Sequence, residues 1–382
     1  MDGLNAMRIL WLAPEPPVAP LTGGRERARQ MLTYLSARHR VHLLTLAEES
    51  ERAALQALAR QLDDLTVVAY QACRQENRGA LVTRLEQLLA RSRPQRLHIQ
   101  GLDVWPGARL GADCVLDLHD VPSLLEERMQ ATRRWSKLAA LLSSGLSRIR
   151  SLERQALQAA RHVIVASPED EHALARHRMP LPSIVSLPNG VDLRRWQLAG
   201  SEADVPTLLF PGALNWPPNI DAAKVLVTAV LPLVQQRQPQ VQLILSGRRP
   251  HPDLATLAAA DPAVTLLPDP ADMGPLFVRA QAIVVPLRAA TGTRLKILQA
   301  LAAGRPVIST PAGAAGLDLV PGRHLLVASL VEPFAAGVVA LLEDQRLRRR
   351  LMANGRSAVA AYDWSRLLPA LDAVYPAQGA TS

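Results

Sequence analysis

The sequence has few aromatic residues and few cysteines, and each shortage excludes a class of site. Aromatic residues make up 3% of the 382 residues, which disfavours a nucleic-acid site built on base stacking despite the net charge of +9. Cys73 and Cys114 are the two cysteines, far apart and without His or Cys neighbours at metal-ligand spacing. They therefore predict neither a disulfide framework nor a zinc site, but ordinary thiols in a reducing compartment.

Long apolar runs are missing too. Residues 1–14 lack the charged and apolar regions of a secretory signal, and no later run approaches about 18 uninterrupted apolar residues. We therefore expect a cytoplasmic protein, at most peripheral at the inner face of a membrane. The basic excess fits an Arg-rich coding bias, attraction to phosphorylated ligands or attraction to an anionic membrane surface, and composition leaves these open.

Hydrophobic residues, in contrast, reach 48%, and the length predicts two domains. Short apolar runs alternate with helical patterns along the first half, which predicts a parallel sheet covered by helices on both faces, with ligands at the carboxyl ends of the strands. The strands predicted there span 8–12, 41–46, 66–69, 96–99, 114–118 and 162–166.

A second alternating series follows a polar, linker-like stretch at 198–206. Its predicted strands span 207–212, 241–247, 264–267, 282–285, 307–309 and 324–327. We therefore predict an N-terminal Rossmann-like domain at 1–195, a C-terminal Rossmann-like domain at 196–360, and a final helix at 361–382 that crosses back to the first domain.

The most informative segment is 292–310, which predicts a phosphate loop, a helix and a buried strand in succession. Gly292 and Thr293 form a small-residue turn whose backbone N–H groups can approach an anion, at the positive end of the helix dipole. Arg294 and Lys296 add positive charge there. The alternative is that these two are solvated charges at a helix start.

The same segment contains the signals of a buried helix. Leu295, Leu298 and Ala302 recur at spacings of three and four, Gly304 is a good left-handed stop, and 306–308 is extended. Lys296 and Gln299 share another face of the helix. The chain has three lysines in all, at 137, 224 and 296, which makes a lysine in this loop less easily explained by composition.

Three segments together, Gly23-Gly24, Pro188-Asn189-Gly190-Val191-Asp192 and 292–310, resemble the family 4 glycosyltransferases with the GT-B fold, and most of all the bacterial transferases of exopolysaccharide and cell-envelope synthesis. The resemblance implies two doubly wound α/β domains facing across a cleft. It also implies transfer of a sugar from a nucleotide diphosphate donor, with retention at the anomeric carbon and without a required metal or other cofactor. A glycan, a lipid-linked molecule or a small molecule would be the acceptor.

The second domain departs from the family pattern. Family members place a glutamate before the glycine loop and another eight residues later, where this sequence has Thr291 and Gln299. They often also have an Arg and a Lys after the domain's first strand, where 212–219 has neither. Arg294 and Lys296, with Arg248, are the predicted replacements at the donor diphosphate. Gly212 and Thr291 are predicted donor contacts, and Gln299 is the predicted ribose ligand.

In the first domain, His119 resembles the family histidine that faces the donor sugar, with a structural helix-turn cap as the alternative. Gly23 and Gly24 are predicted to let the first loop approach the donor or acceptor, with a plain tight turn as the alternative. His98 is a weaker site candidate. Arg25 and Arg27 are predicted to be solvated charges, and Asn189 and Asp192 to shape the interdomain turn. The stretch 311–316 is predicted to be a flexible loop at the same end of the sheet as the phosphate site.

The basic stretch 133–154 is partly amphipathic. It predicts either docking on an anionic membrane or, as the commoner case, a helix that covers the sheet. For the whole chain, two alternatives to a hexosyl transferase stay open: a nucleotide-sugar-binding protein of the same fold with impaired catalysis, and a GT-B nucleotide-sugar epimerase.

Overall fold

The computed structural model describes residues 6–19, 22–71, 74–107, 113–132, 143–200 and 203–376. The chain divides into two compact units. Unit 1 contains Met1–Glu127, Trp135–Asn189 and Leu367–Ser382, and unit 2 contains Arg128–Arg134 and Gly190–Arg366. The Cys73 thiol and the basic residues 133–142 lie outside the described residues.

Unit 1 is built on a seven-stranded parallel sheet, with the strand order β3-β2-β1-β4-β5-β6-β7. The strands are β1 Arg8–Ala13, β2 Arg40–Ala47, β3 Asp64–Ala69, β4 Arg96–Gln100, β5 Asp113–Leu118, β6 Ala160–Val165 and β7 Ser183–Ser186. The six predicted strands are present, and β7 was missed. Its central residues, Ile184 and Val185, are only half-buried at the edge of the sheet, so the apolar signal is short.

The connections in this half are helical. They are α1 Gly23–Ser36, α2 Arg52–Ala59, α3 Arg74–Ser92, α4 Pro122–Thr132, α5 Ser143–Ala159 and α6 Pro168–Ala175, with a 3₁₀ turn at Glu49–Glu51. A C-terminal 3₁₀ segment, Leu368–Ala373, contacts β7 and α1 and thus belongs to unit 1.

Unit 2 contains a six-stranded parallel sheet in the order β10-β9-β8-β11-β12-β13. Its strands are β8 Thr207–Pro211, β9 Gln242–Gly247, β10 Val264–Pro268, β11 Ala282–Val285, β12 Val307–Ser309 and β13 Leu326–Val327. Its helices are α7 Pro217–Val225, continued by a π-helical turn Leu226–Val230 and α8 Leu231–Gln235, then α9 Pro252–Ala260, α10 Gly274–Arg279, α11 Leu295–Ala302, α12 Pro311–Ala314, α13 Glu332–Glu343, α14 Gln345–Ala358, a 3₁₀ turn Val359–Tyr362 and α15 Trp364–Leu367.

In both strand orders the first strand of each half is third in its sheet, with the next two strands on one side and the later strands on the other, which is the Rossmann-like arrangement. The central strands are buried on both faces, as the continuous apolar runs predicted: β8 and β11 are buried at every position. The predicted class, two doubly wound α/β domains, is confirmed.

One helical stretch among the described residues, Pro217–Gln235, is long and apolar enough by composition to cross a membrane, and half of it is buried inside the protein. A core helix of a soluble protein meets the same criterion. Ala222, Leu226, Val230 and Val234 of this stretch belong to the hydrophobic core of unit 2, which accounts for its apolar character.

Candidate functional site

In unit 2, two glycines meet at the carboxyl ends of neighbouring strands. Gly247 ends β9 with φ +153°, and a Cβ built there would lie 1.5 Å from the carbonyl oxygen of Gly212, which follows β8. The Gly212 amide donates to the Ser246 carbonyl across the same edge, with an N···O distance of 3.0 Å. Only glycine at 247 permits this approach, which places the β8–α7 loop against β9.

The Lys296 ammonium lies beside this loop. Its Nζ donates to Asn219 Oδ1 at 2.9 Å and stands 4.3 Å from the centre of the Phe210 ring. A Cβ built at Gly212 would lie 2.8 Å from Lys296 Nζ and 3.0 Å from Asn219 Nδ2. The missing side chain at Gly212 therefore leaves the space that the lysine and the amide occupy.

Burial, and to a smaller extent the positive charge of Arg294, lower the pKa of Lys296 from its ordinary value to about 7. Within the described part of the chain, no carboxylate forms an ion pair with Lys296, whose polar contact is the neutral Asn219 amide. A desolvated cation without a matching anion favours an anionic ligand, because the ligand would supply the missing charge.

The loop before α11 is closely packed. Thr291, Thr293 and Arg294 are about 5–6% exposed, Gly292 has φ +67°, and Arg294 Nη1 donates to the Thr291 carbonyl at 2.7 Å. The structure thus contains the predicted glycine turn, followed by a helix that begins at Leu295. Arg294 is a buried part of the loop.

Two further predicted donor contacts lie at this edge of unit 2. The Arg248 carbonyl accepts from the Leu214 amide at 2.9 Å and so helps to fix the β8–α7 loop. The Gln299 side chain is half-buried on α11 and makes no hydrogen bond to another described residue. Its role as ribose ligand stays a prediction.

In unit 1, His119, Gly24 and Gln100 come together. His119 follows β5, and its Nε2 would lie 3.6 Å from a Cβ built at Gly24. Gln100, at the end of β4, donates from Nε2 to the Gly24 carbonyl at 2.9 Å. His119 Nε2 also lies 3.7 Å from Asp120 Oδ2. Gln100 was missed from the sequence, although its position at a strand's carboxyl end is the signal that singled out His119.

The glycine pair forms the first turn of a helix instead of the predicted turn before it. Helix α1 begins at Gly23, and Thr22 is its cap. The Thr22 Oγ1 accepts a hydrogen bond from the Arg25 amide at 3.3 Å. A Cβ built at Gly23 would meet nothing within 4 Å. The backbone donors of this first turn point toward the helix start, where they can meet an anion or a sugar oxygen.

The prediction that Arg25 and Arg27 are solvated was wrong. Arg27 is fully buried, and its Nε and Nη2 bind both oxygens of Asp117 at 2.8–3.1 Å. Arg25 is 2% exposed and pairs with Glu51 at 2.7 Å and Glu15 at 2.9 Å. The buried partners Glu51 and Asp117 lie 26 and 90 residues away in sequence, so each arginine has a counter-charge that no local pattern indicates.

His98 is a core residue. It is fully buried, stacks on Trp11 with ring centres 3.5 Å apart, and its Nδ1 lies 2.6 Å from the Tyr375 hydroxyl. Burial lowers the pKa of His98 to about 4, although Asp117 acts in the opposite direction. The imidazole is therefore neutral at pH 7, packed in the sheet and not available as a site ligand.

Other predicted residues have structural positions. Asn189 Oδ1 accepts from Arg27 Nη1 at 3.4 Å, and Asp192 accepts from the backbone of Arg194 at 3.0 Å. The stretch 311–316 was predicted as a flexible loop, but it includes the short helix α12, where a Cβ at Gly313 would lie 2.4 Å from Ser309 Oγ. Burial raises the pKa of the Cys114 thiol to about 12.

Within the ranges that the structure describes, no group of three or more His, Cys, Asp or Glu side chains is arranged to hold a metal ion. For the basic stretch 133–154, only α5 residues can be placed. Arg150 is exposed and pairs with Glu127 at 2.7 Å, and Glu153 on the same helix is buried and accepts from the Ser123 amide. Helix α5 also contacts β5 and β6, and thus covers the sheet with one face.

Two family profiles match the chain, one in each half. Residues 22–195 match "Glycosyltransferase Family 4", and residues 205–344 match "Glycosyl transferases group 1". A phosphatidyl-myo-inositol mannosyltransferase of Mycobacterium tuberculosis is 31% identical over 204 residues, which cover 50% of this chain and 53% of the relative. The alignment thus spans about half the length of the curated relatives that it matches.

Solved structures resemble the chain over nearly its full length. Sucrose-phosphate synthase from Thermosynechococcus elongatus has a TM-score of 0.77 at 19% identity, covering 97% of this chain and 98% of that one. HepE of Anabaena, in complex with UDP-glucose, has a TM-score of 0.73 at 16% identity, covering 97% and 99%. At these identities the likeness shows the fold. With the two family matches, it identifies the chain as a member of the family 4 glycosyltransferases with the GT-B fold.

Proposed function

We propose that this protein is a retaining hexosyltransferase that takes a sugar from a nucleotide diphosphate donor and transfers it to a glycan, lipid-linked or small-molecule acceptor, without a metal. One observation carries the proposal: Lys296 is held at the carboxyl edge of the unit 2 sheet, without a carboxylate partner among the described residues. The complex of HepE with UDP-glucose supports a nucleotide sugar as the ligand class.

The chemistry needs a cation at this place. As the glycosidic bond breaks, negative charge grows on the leaving diphosphate, and a preorganised donor stabilises that charge. Lys296 and the first turn of α11 would supply it, with Arg294 setting the loop. Gln299 would bind the ribose with a neutral amide, which makes a weaker bond than a carboxylate. His119 and the Gly23-Gly24 turn would contact the donor sugar or the acceptor.

Calorimetric titration with UDP, GDP and ADP at pH 6.5 tests the donor site. We expect one diphosphate to bind in the micromolar range and Lys296→Met to weaken it about 10- to 100-fold, since a hydrogen bond to a charged group contributes about 1.5–3 kcal/mol. Lys224→Met is the matched control, because Lys224 is 42% exposed and pairs with Asp253. Equal binding by wild type and Lys296→Met would refute this donor site.

Two alternatives have distinct readouts. The replacement of both family glutamates by Thr291 and Gln299 favours a binding protein with impaired catalysis. Such a protein would bind the nucleotide sugar but release no nucleoside diphosphate from it with any acceptor. A nucleotide-sugar epimerase would convert the donor in the absence of acceptor. NMR of the donor alone, incubated with the protein, separates an isomerised nucleotide sugar from an unchanged one.

A further inference from the structure

The β8–α7 loop and the first turn of α7, residues 212–219, contain neither lysine nor arginine, although they border the proposed phosphate site. The nearest ammonium comes from another element, since Lys296 reaches from α11 to the amide of Asn219, which lies 77 residues earlier in the chain. The site is therefore assembled from a neutral loop and a cation that a distant helix supplies.

Asn219 uses both ends of its amide. Its Nδ2 donates to the Ala213 carbonyl at 2.9 Å, and its Oδ1 accepts from Lys296 Nζ at 2.9 Å. The side chain is buried, with 7% exposure, in the first turn of α7. A reversed amide would place its NH₂ against the ammonium and its oxygen against a carbonyl, so these two partners allow one orientation.

An amide at this position keeps the positive charge of Lys296 available. An aspartate would offer the same acceptor but would neutralise the ammonium and repel a diphosphate, and a leucine would remove the acceptor. Arg294 is the charged group that acts on Lys296, and the Phe210 ring faces it from β8.

We propose that Asn219 is the positioning residue that holds the Lys296 ammonium at the end of β8, so that α11 supplies the phosphate-binding cation that the β8–α7 loop lacks. This inference rests on the proposed donor site, but the charge state of Lys296 can be measured without any ligand. Asn219 itself acts through Lys296 and the Ala213 carbonyl.

The first test is an NMR titration of protein labelled with [13Cε]lysine. The chain has three lysines, so three signals are expected, and Lys296→Arg assigns the one of interest. Asn219→Asp should raise the pKa of Lys296 by at least about one unit, and Asn219→Leu should lower it, because the first adds a negative charge and the second removes an acceptor. The Lys224 signal is the internal control and should not shift.

The second test is diphosphate binding to the same variants. Asn219→Asp should weaken binding at least about 10-fold even though Lys296 is then more fully protonated, because a carboxylate faces the ligand. The double variant Asn219→Lys/Lys296→Gln moves the cation to the first turn of α7. It should bind within about 5-fold of wild type if both positions serve one phosphate subsite, whereas Lys296→Gln alone should be weak.

The outcomes are distinguishable. An unchanged Lys296 titration in both Asn219 variants, with wild-type diphosphate affinity, would overturn the positioning role and leave the proposed function intact. Absence of diphosphate binding by the wild type would overturn the proposed function, and the titration would still show whether Asn219 sets the charge of Lys296. Asn219→Asp is nearly isosteric, so it serves if Asn219→Leu does not fold.

Discussion

Each unit contains a cationic side chain that is shielded from solvent, fully for Arg27 and in part for Lys296, but the two charges are matched differently. In unit 1, Arg27 is fully buried and binds both oxygens of Asp117, with Leu187 and Asn189 as further acceptors. In unit 2, Lys296 has a neutral amide and an aromatic ring as partners and a second cation, Arg294, nearby. The comparison separates a charge that is neutralised within the fold from one that has no counter-charge among the described residues.

The pKa values show the same contrast. Burial by itself raises the pKa of Asp117, but the charge and hydrogen bonds of Arg27 more than offset this and hold the pKa below its ordinary value. The pair thus stays ionised. The pKa of Lys296 falls to about 7 because no carboxylate among the described residues offsets its burial, and the charge of Arg294 acts in the same direction. A buried charge with a full set of partners is a poor ligand site, whatever motif it follows.

The largest expected effect comes from breaking the matched pair. Asp117→Asn leaves Arg27 buried without a counter-charge, and we expect a loss of about 3–5 kcal/mol in the free energy of unfolding, measured by urea denaturation. Arg52→Met is the control, because the Arg52–Glu49 pair is exposed at 66% and 81% and its loss should change stability by less than about 1 kcal/mol. A loss below about 1 kcal/mol for Asp117→Asn would show that the pair is not structural.

The neutral His98 provides the second test in unit 1. Its folded pKa of about 4 lies below the ordinary 6.5, so the unfolded chain binds more protons between these values. The His98 contribution to stability is therefore complete above about pH 6.5 and is lost as the pH falls toward 4, by up to about 3 kcal/mol. Unfolding measured at pH 6.5, 5 and 4 should show this fall.

His98→Gln is the matched variant for that series, because glutamine does not titrate. It should be less stable at pH 7, since the stacking on Trp11 is lost. Its stability should nevertheless change less than that of the wild type between pH 6.5 and 4. Parallel pH profiles for the two proteins would mean that His98 is not the group responsible.

Unit 2 should respond in the opposite way when its cation is removed. Lys296→Met should stabilise the protein without ligand by about 1–2 kcal/mol at pH 6.5, as expected where a binding site is kept at the expense of stability. The folded pKa is about 7 and the unfolded value 10.5, so the wild type gains stability as the pH rises between them. The advantage of the variant should shrink over the same interval, in urea denaturation at pH 6.5, 8 and 9.5. A variant less stable than wild type at pH 6.5 would contradict this account.

The same residues show which features of the structure can be predicted from sequence patterns and which cannot. The apolar runs predicted the central strands because those strands are buried on both faces, and the glycine loop and α11 followed from local signals at 292–304. The partners of Arg27 and Lys296 lie 90 and 77 residues away, so no local pattern indicates which charge is neutralised. Arg27 was therefore predicted as solvated, and Asn219 was not singled out.

Strand β7 illustrates the other limit. The segment Ser183–Ser186 has two apolar residues, both half-buried, and becomes a strand because β6 offers a free edge. Pairing of this kind depends on the neighbouring strand more than on the segment's own composition. The site is predictable where backbone turns and helix starts define it, and less so where side chains from separate elements meet.

The smallest expected effect, and the sharpest test of the comparison, is proton uptake when unit 2 binds a diphosphate. Because the pKa of free Lys296 is about 7, a growing fraction of the protein carries a neutral amine above that pH, and an anion beside Nζ raises the pKa. Affinity for the diphosphate should therefore be highest below pH 7 and fall by up to about 10-fold per pH unit above it, equivalent to about 1.4 kcal/mol.

Titrations at pH 8 in buffers of different ionisation enthalpy should show uptake approaching one proton in the wild type, with a smaller value in Lys296→Arg, which stays charged. Equal uptake in the two proteins would assign the proton to another group, and the contrast between the two units would then no longer explain the binding site.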